Sequence, residues 1–215
     1  MVWVETAKGL YEPVHRAAID EETLNGRIRL SNLPPGTRLT HRFATFEHRQ
    51  GLVDALITAQ KFALMDPLHH FLTLTGERGV GKTHLAIAIL WTWLEEGLGN
   101  GAYWQVEAML EHLRSYYKQS QRYTESDIDT ELNWLKNCGL LVLDDLGVEK
   151  GTEWATAKLD EIVDHRYLHK RRTVFTTNVK SEELPPRIVD RMFEGKVLTL
   201  KASSYRRLNK GERSK

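Results

Sequence analysis

Gly76, Gly81, Lys82 and Thr83 fall in the spacing G-x-x-x-x-G-K-T, inside a stretch (71–90) that reads as an apolar run, a turn and a helix. Residues of these types in this order suit a phosphate chain. Glycine admits positive φ, so successive backbone N–H groups can converge on an anion. The helix that follows adds the positive end of its dipole. In this geometry Lys82 reaches the β and γ phosphates and the Thr83 hydroxyl takes a place on Mg²⁺. Glu77, Arg78, Gly79, Val80 and His84 complete the nucleotide-binding stretch. A second piece of chemistry lies further along. The apolar run 140–143 has strand length and ends in Asp144-Asp145. Carboxylates at the end of a buried strand call for something positive beside them. Asp144 is placed to hold Mg²⁺, and Asp145 to orient or deprotonate an attacking water. Together the two motifs predict binding of a nucleoside triphosphate with Mg²⁺.

The elements that must position these residues alternate in type. A helical face recurs at Leu52, Leu56, Ala59 and Ala63. The phosphate loop and its helix come next, then a strand at 102–106 and a helix from about 107 to 117. A polar stretch, 119–130, leads into a short helix and the Asp144 strand. Residues 154–170 form an amphipathic helix with Leu159, Ile162, Val163 and Tyr167 in line, and strands follow at 173–177 and 196–200. Alternation of this kind predicts an α/β fold with a parallel sheet covered on both faces. The strand ending in Thr176-Thr177-Asn178 then lies between the two motif strands. Asn178 at its tip can hydrogen-bond both the γ-phosphate and the attacking water. Before the core, residues 1–45 are mixed in character, with room for a short helix and a break at Pro34-Pro35-Gly36.

Composition bounds the class. Lys plus Arg number 30 against 29 Asp plus Glu, so any nucleic-acid surface must be local. The single cysteine, Cys138, excludes a disulfide framework and a cysteine-based zinc site. No apolar segment has membrane-spanning length, and the N-terminus lacks the apolar core of a signal peptide, which predicts a cytoplasmic protein with no membrane partner.

GERGVGKTHLA, LLVLDDLGVEKGTEWATAKLDEIVDHRY and TVFTTN resemble the AAA+ ATPase core of bacterial replicative helicase loaders of the DnaC/DnaI group; the IstB transposition ATPases share much of the pattern. The likeness runs from about residue 43 to 207. It implies a three-layer αβα P-loop fold with a five-stranded parallel sheet and little or no C-terminal lid. It further implies that 76–83 is Walker A, that Asp144 and Asp145 are Walker B, and that Asn178 is sensor 1. PPRIVDRM resembles the arginine-finger segment, with Arg191 the better match and Arg187 the runner-up. SSYRR suggests Arg206 as a sensor-2-like residue. A finger supplied by a neighbouring subunit makes hydrolysis conditional on a homo-oligomer. The implied domains are a partner-binding segment at 1–45, an ATPase core at 46–207 and a basic tail at 208–215. The implied partners are a DnaB-type replicative helicase and single-stranded DNA, in a bacterial or phage-encoded protein. Two departures stand out. Asp145 replaces the usual glutamate, one methylene longer, which points to slow hydrolysis. The short N-terminal segment also lacks the cysteines that hold zinc in some relatives.

Residues 112–123 interleave Arg114, Lys118 and Arg122 with Tyr116, Tyr117 and Tyr123. Cations that track a phosphodiester backbone beside aromatic faces that stack on bases suit a single strand. An amphipathic helix with its tyrosines in the core fits the same residues equally well. HRYLHK, residues 165–170, is read as the exposed, solvated side of the 154–170 helix, so His165 and His169, at i and i+4, are not read as a metal site. Three other functions remain to be weighed against the loader. An IstB-like transposition regulator would act on duplex DNA with a transposase, and a nucleotide-gated adaptor would hydrolyse negligibly. A small-molecule P-loop kinase is disfavoured, because Asn178 and Arg191 would have no task in it.

Overall fold

The computed structural model describes residues 2–5, 11–14, 19–47, 49, 51–64, 68–118, 124–147 and 152–202. Five strands form the central sheet: β3 (Phe71–Thr75), β4 (Gly101–Gln105), β5 (Leu140–Leu146), β6 (Arg172–Thr177) and β7 (Lys196–Thr199). Their order is β4-β5-β6-β3-β7, and every pairing is parallel. As expected from sequence, the strand ending in Asn178 separates the two motif strands. Apart from these, β1 (Val2–Glu5) and β2 (Tyr11–Val14) pair antiparallel; the mixed composition of that stretch did not reveal them.

Strand residues alternate between two cores, so the central strands are buried on both faces, β6 along its whole length and β3 over all but its last residue. Leu72, Leu74, Leu140, Val142 and Val174 face one core, covered by α3 (Val53–Ala63) and α4 (Lys82–Glu95). Phe71, Leu141, Leu143 and Phe175 face the other, with α5 (Val106–Lys118), α6 (Glu125–Asn137), α7 (Glu153–Leu168) and α8 (Pro186–Glu194). The α4 helix is buried without a break from Leu85 to Trp91. Each fully buried leucine or isoleucine there contributes ~1.5–3 kcal/mol, and this burial fixes the phosphate loop to the sheet.

Residues 19–46 pack into the α4-side core. Leu24 of α1 (Glu21–Leu30) and Phe46 belong to it. Thr37, the first residue of α2 (Thr37–Thr40), accepts a hydrogen bond from Trp91 Nε1 at 3.2 Å. The chain leaving α1 also meets the open edge of β4: Tyr103 N–H donates to Ser31 O at 2.8 Å, and Asn32 Nδ2 donates to Tyr103 O at 3.0 Å.

Two expectations need correction. The helix before β5 is not short: it spans 13 residues from Glu125. Thr124 and Asp127 start it with a capping box, the Asp127 carboxylate accepting from Thr124 N–H at 2.7 Å. Ile128, Leu132 and Leu135 then bury one face of it. The second correction concerns α7, where 165–170 is not wholly a solvated face. Arg166 is 0% exposed. Its guanidinium donates to Thr173 Oγ1 (2.9 Å), Leu135 O (2.8 Å), Cys138 O (2.9 Å) and Arg172 O (2.5 Å). The carbonyl-rich C-terminal end of α6, negative by its dipole, takes the place of a carboxylate. His165 and His169 do sit at the surface, stacked at 4.0 Å between ring centroids. His165 Nε2 is 3.2 Å from Asn137 Oδ1. No described helix is long and apolar enough to cross a membrane.

Candidate functional site

The loop between β3 and α4 runs along the C-terminal edge of the sheet, so the N–H groups of the first turn of α4 point out over that edge. Gly81 has φ +110° and lies against Phe46; a Cβ there would fall 2.7 Å from Phe46 Cε2. Gly76 has φ +143° and passes the carbonyl of Leu200 as closely as 2.5 Å for such an atom. Both positions exclude a side chain on conformation and on space. Lys82 Nζ donates to the carbonyls of Gly76 (2.8 Å) and Glu77 (2.9 Å) and is thereby folded back over the loop. Burial pulls its ammonium below the ordinary lysine range, against the opposing pull of Asp145 and Asp144. The Val80 side chain is buried beneath the loop.

Asp144 is 1% exposed and takes three hydroxyl donors. Thr83 Oγ1 donates to it at 3.0 and 3.2 Å, Tyr103 OH at 2.7 Å and Thr176 Oγ1 at 2.6 Å. The phosphate-loop threonine and the strand-end carboxylate therefore meet across 61 residues of chain. At Asp145 the backbone turns to φ +57°, within a register shift between Leu143 and Leu146. A left-handed non-glycine residue costs ~1–3 kcal/mol. Here Thr176 Oγ1 accepts the Asp145 N–H at 2.9 Å and holds the turn. The turn aims the Asp145 side chain into a cleft of about 680 Å³ bordered by Arg78, Gly79, Gly81, Lys82 and Thr83. Asn178 follows β6, outside that lining. Its Oδ1 is buried with no hydrogen-bond partner among the described residues, an acceptor that those residues leave unused.

A model of the IstB-like ATP binding proteins matches residues 14–213. The chain belongs to this family. Among curated relatives of this IstB-like protein, the replicative helicase loader DnaC of Escherichia coli (strain K12) is 28% identical over 194 residues, covering 86% of this chain and 77% of that one. The replicative helicase loader DnaI of Bacillus subtilis (strain 168) is 29% identical over 115 residues, covering 53% of this chain and 34% of that one. A crystal structure of the DnaC helicase loader superposes with a TM-score of 0.67 at 24% identity, covering 77% of this chain and 99% of that one. AMPPCP-bound DnaA from Aquifex aeolicus gives 0.67 at 18%, covering 81% and 55%. The fold is that of an AAA+ P-loop domain.

The second wall of the IstB-like cleft was not legible in the sequence. Thr40, His41, Thr45, Phe46, Glu47 and Arg49 form it, from the stretch that precedes α3. Its anchor is His84, whose Nε2 lies 2.8 Å from Arg42 O. The His84 ring stands between His41 (5.0 Å) and Phe46 (5.2 Å). Burial lowers its pKa, against the opposing pull of the Arg42 carbonyl. Tyr103 was missed for another reason: a tyrosine in the middle of a strand carries no motif. Burial, and then the neighbouring Asp144 charge, push its phenol far above the ordinary range, so it stays a donor.

Arg187 and Arg191 of α8 converge on one carboxylate. Arg191 Nε donates to Asp164 Oδ1 at 3.1 Å and Nη1 to Glu194 at 2.9 Å, with the guanidinium 4.1 Å from the Tyr167 ring centroid. Arg187 Nη2 donates to Asp164 Oδ2 at 2.5 Å. The Arg187 side chain is 68% exposed and that of Arg191 28%. On α5, Arg114 lies 4.9 Å over the Trp154 ring and donates to Thr152 Oγ1 at 3.3 Å. Tyr116 is half-buried, edge-on to His112 at 5.1 Å. Tyr117 and Lys118 end the helix, where only the backbone is described, and Arg122 and Arg206 lie outside the described residues.

Proposed function

We propose that this protein is an ATP-dependent loader that binds a DnaB-type replicative helicase and places it on single-stranded DNA. The observation that carries the nucleotide chemistry is the meeting of Thr83 and Asp144 beside the Lys82 loop. Hard oxygen donors of this kind fit Mg²⁺, and a buried carboxylate whose hydrogen-bond donors among the described residues are all neutral hydroxyls fits a nearby cation. Thr83 and Asp144 would hold the metal, which would neutralise charge on the phosphates. Lys82 would move from the loop carbonyls to the β and γ phosphates. Asp145 would orient or deprotonate the attacking water, and the free Oδ1 of Asn178 supports a place for it in that water's hydrogen bonding. Arg191, or Arg187 beside it, would enter a neighbouring subunit's cleft in a homo-oligomer. Residues 1–45, which from residue 19 onward also pack on the α4-side core and wall the cleft, would engage the helicase, 46–207 would form the ATPase core and 208–215 a basic tail, in the bacterial cytoplasm. On the DNA side, Arg114, Tyr116, Tyr117, Lys118 and Arg122 are candidates, with Arg114 and Tyr116 already engaged by neighbouring side chains.

The loader role rests on the likeness to DnaC across 86% of the chain. A transposition regulator acting on duplex DNA is the second reading, supported by the family match over 14–213. Light scattering after size exclusion separates them, using the chain, a purified replicative helicase, ADP or a non-hydrolysable ATP analogue, and single- or double-stranded DNA. An ATP-dependent complex with helicase supports the loader. Self-assembly on duplex DNA without helicase supports the regulator. Assembly with neither leaves a nucleotide-gated adaptor, for which Asp145→Glu would leave hydrolysis unchanged rather than raise it.

A further inference from the structure

Tyr103 sits on the edge strand β4 and is engaged in two directions. Its main chain is paired on the open side, the N–H donating to Ser31 O (2.8 Å) and the carbonyl accepting from Asn32 Nδ2 (3.0 Å). Its side chain is 5% exposed, packed in the α4-side core, and ends in a hydroxyl that donates to Asp144 Oδ2 at 2.7 Å. A phenylalanine would fill the same space. The hydroxyl is a polar group carried into a core, and its hydrogen bond to Asp144 is the compensation such burial requires. Of the three hydroxyls on Asp144, those of Thr83 and Thr176 come from α4 and β6, and Tyr103 supplies the one from the edge strand. A single residue thus spans from the chain segment after α1 to the carboxylate opposite Thr83.

Hydrogen bonds to a metal-facing carboxylate fix its orientation, and their loss typically changes metal affinity by about 10–100-fold. From this geometry we infer that Tyr103 is a positioning residue, which sets the Asp144 carboxylate for Mg²⁺ and ties metal binding to the seating of residues 31–32 on the edge of β4. The inference deepens the nucleotide–magnesium reading above and rests on it. Because coupling is reciprocal, bound metal–nucleotide tightens the seat of residues 31–32, and a partner that lifts them from β4 loosens the metal.

The full-length chain is titrated with Mn²⁺, read by electron paramagnetic resonance, in the presence of a non-hydrolysable ATP analogue. Nucleotide affinity is measured separately in EDTA, and the thermal midpoint is followed for every variant. Tyr103→Phe is expected to weaken Mn²⁺ about tenfold, with metal-free nucleotide affinity unmoved and the thermal midpoint lowered by only a few degrees, as the loss of one buried hydrogen bond requires. Asn32→Gly keeps the left-handed backbone (φ +52°) while removing the amide. It is expected to weaken Mn²⁺ by less than Tyr103→Phe does, and the double variant to be no worse than Tyr103→Phe alone. Wild-type Mn²⁺ affinity in Tyr103→Phe overturns the positioning role, as does an equal loss of metal-free nucleotide binding. Losses that simply add overturn the link to residues 31–32. A wild-type chain that binds no nucleotide at all overturns the parent reading, a failure distinct from either of these.

Discussion

Replacing Arg166 by methionine is the sharpest test of how α7 is fixed. The methionine fills much of the same volume but offers no donor. Four good acceptors lose their partner: Thr173 Oγ1 and the carbonyls of Leu135, Cys138 and Arg172. A hydrogen bond from a charged donor contributes ~1.5–3 kcal/mol, and a buried acceptor left without a partner costs ~1–3 kcal/mol. Against this stands the relief of no longer burying a guanidinium, several kcal/mol in the other direction. The net expected loss is ~3–5 kcal/mol, the range seen when one member of a buried ionic network is removed. For a chain of this size that lowers the thermal midpoint by about 6–20 °C. Urea unfolding read by circular dichroism gives the free energy, and hydrogen exchange shows where it is lost. Protection should fall first at the C-terminal turn of α6 and the start of β6. A loss below about 1 kcal/mol would refute the account, because the carbonyls would then be satisfied without the arginine.

Gly81→Ala meets both a positive φ and Phe46 at 2.7 Å; it should cost ~2–4 kcal/mol of stability and weaken nucleotide binding, both visible in a thermal shift with and without ATP. Stability should fall with acid below the ordinary histidine pKa of 6.5, since burial lowers the folded-state values of His84, His41 and His70. Below 6.5 the unfolded chain takes up protons that the folded chain refuses, so the contribution is fully present above 6.5 and is lost as pH falls through the depressed values. His84→Gln should flatten that slope between pH 7.5 and 5.5, and an unchanged slope would assign it elsewhere. Finally, Arg191→Ala and Lys82→Ala chains, each reduced ~10³-fold or more alone, should recover hydrolysis when mixed. Arg187→Ala run in parallel decides which arginine acts in trans, and no recovery with either argues for action within one chain.

The place of the Asn178 strand between the two motif strands, the phosphate loop and the meeting of Thr83 with Asp144 were legible because each rests on local patterns: strands alternating with helices, a glycine spacing, and an apolar run ended by acids. What was not legible depends on long-range packing. Arg166 reads as part of a basic, solvated run, and only the position of the α6 C-terminus turns it inward. Phe46 is an ordinary residue, and His84 no more than a neighbour of the phosphate loop, until the stretch before α3 folds over that loop. In the same way Tyr103 acquires meaning only from Asp144, 41 residues on. The start of α6 was misplaced because polar side chains obscured the Thr124–Asp127 cap.

The pairing of Ser31 and Asn32 with Tyr103 also bears on solubility and the order of folding. An open parallel sheet has two unpaired margins, each a template for another chain. One margin here is β7, four residues long with Lys196 exposed on it. The other is β4, longer and apolar, and its cover comes from chain 71 residues earlier. During synthesis that cover emerges first and waits for its strand. A variant lacking residues 1–33 would keep every motif of the cleft and still present a bare strand to its neighbours, and its characteristic failure would be aggregation.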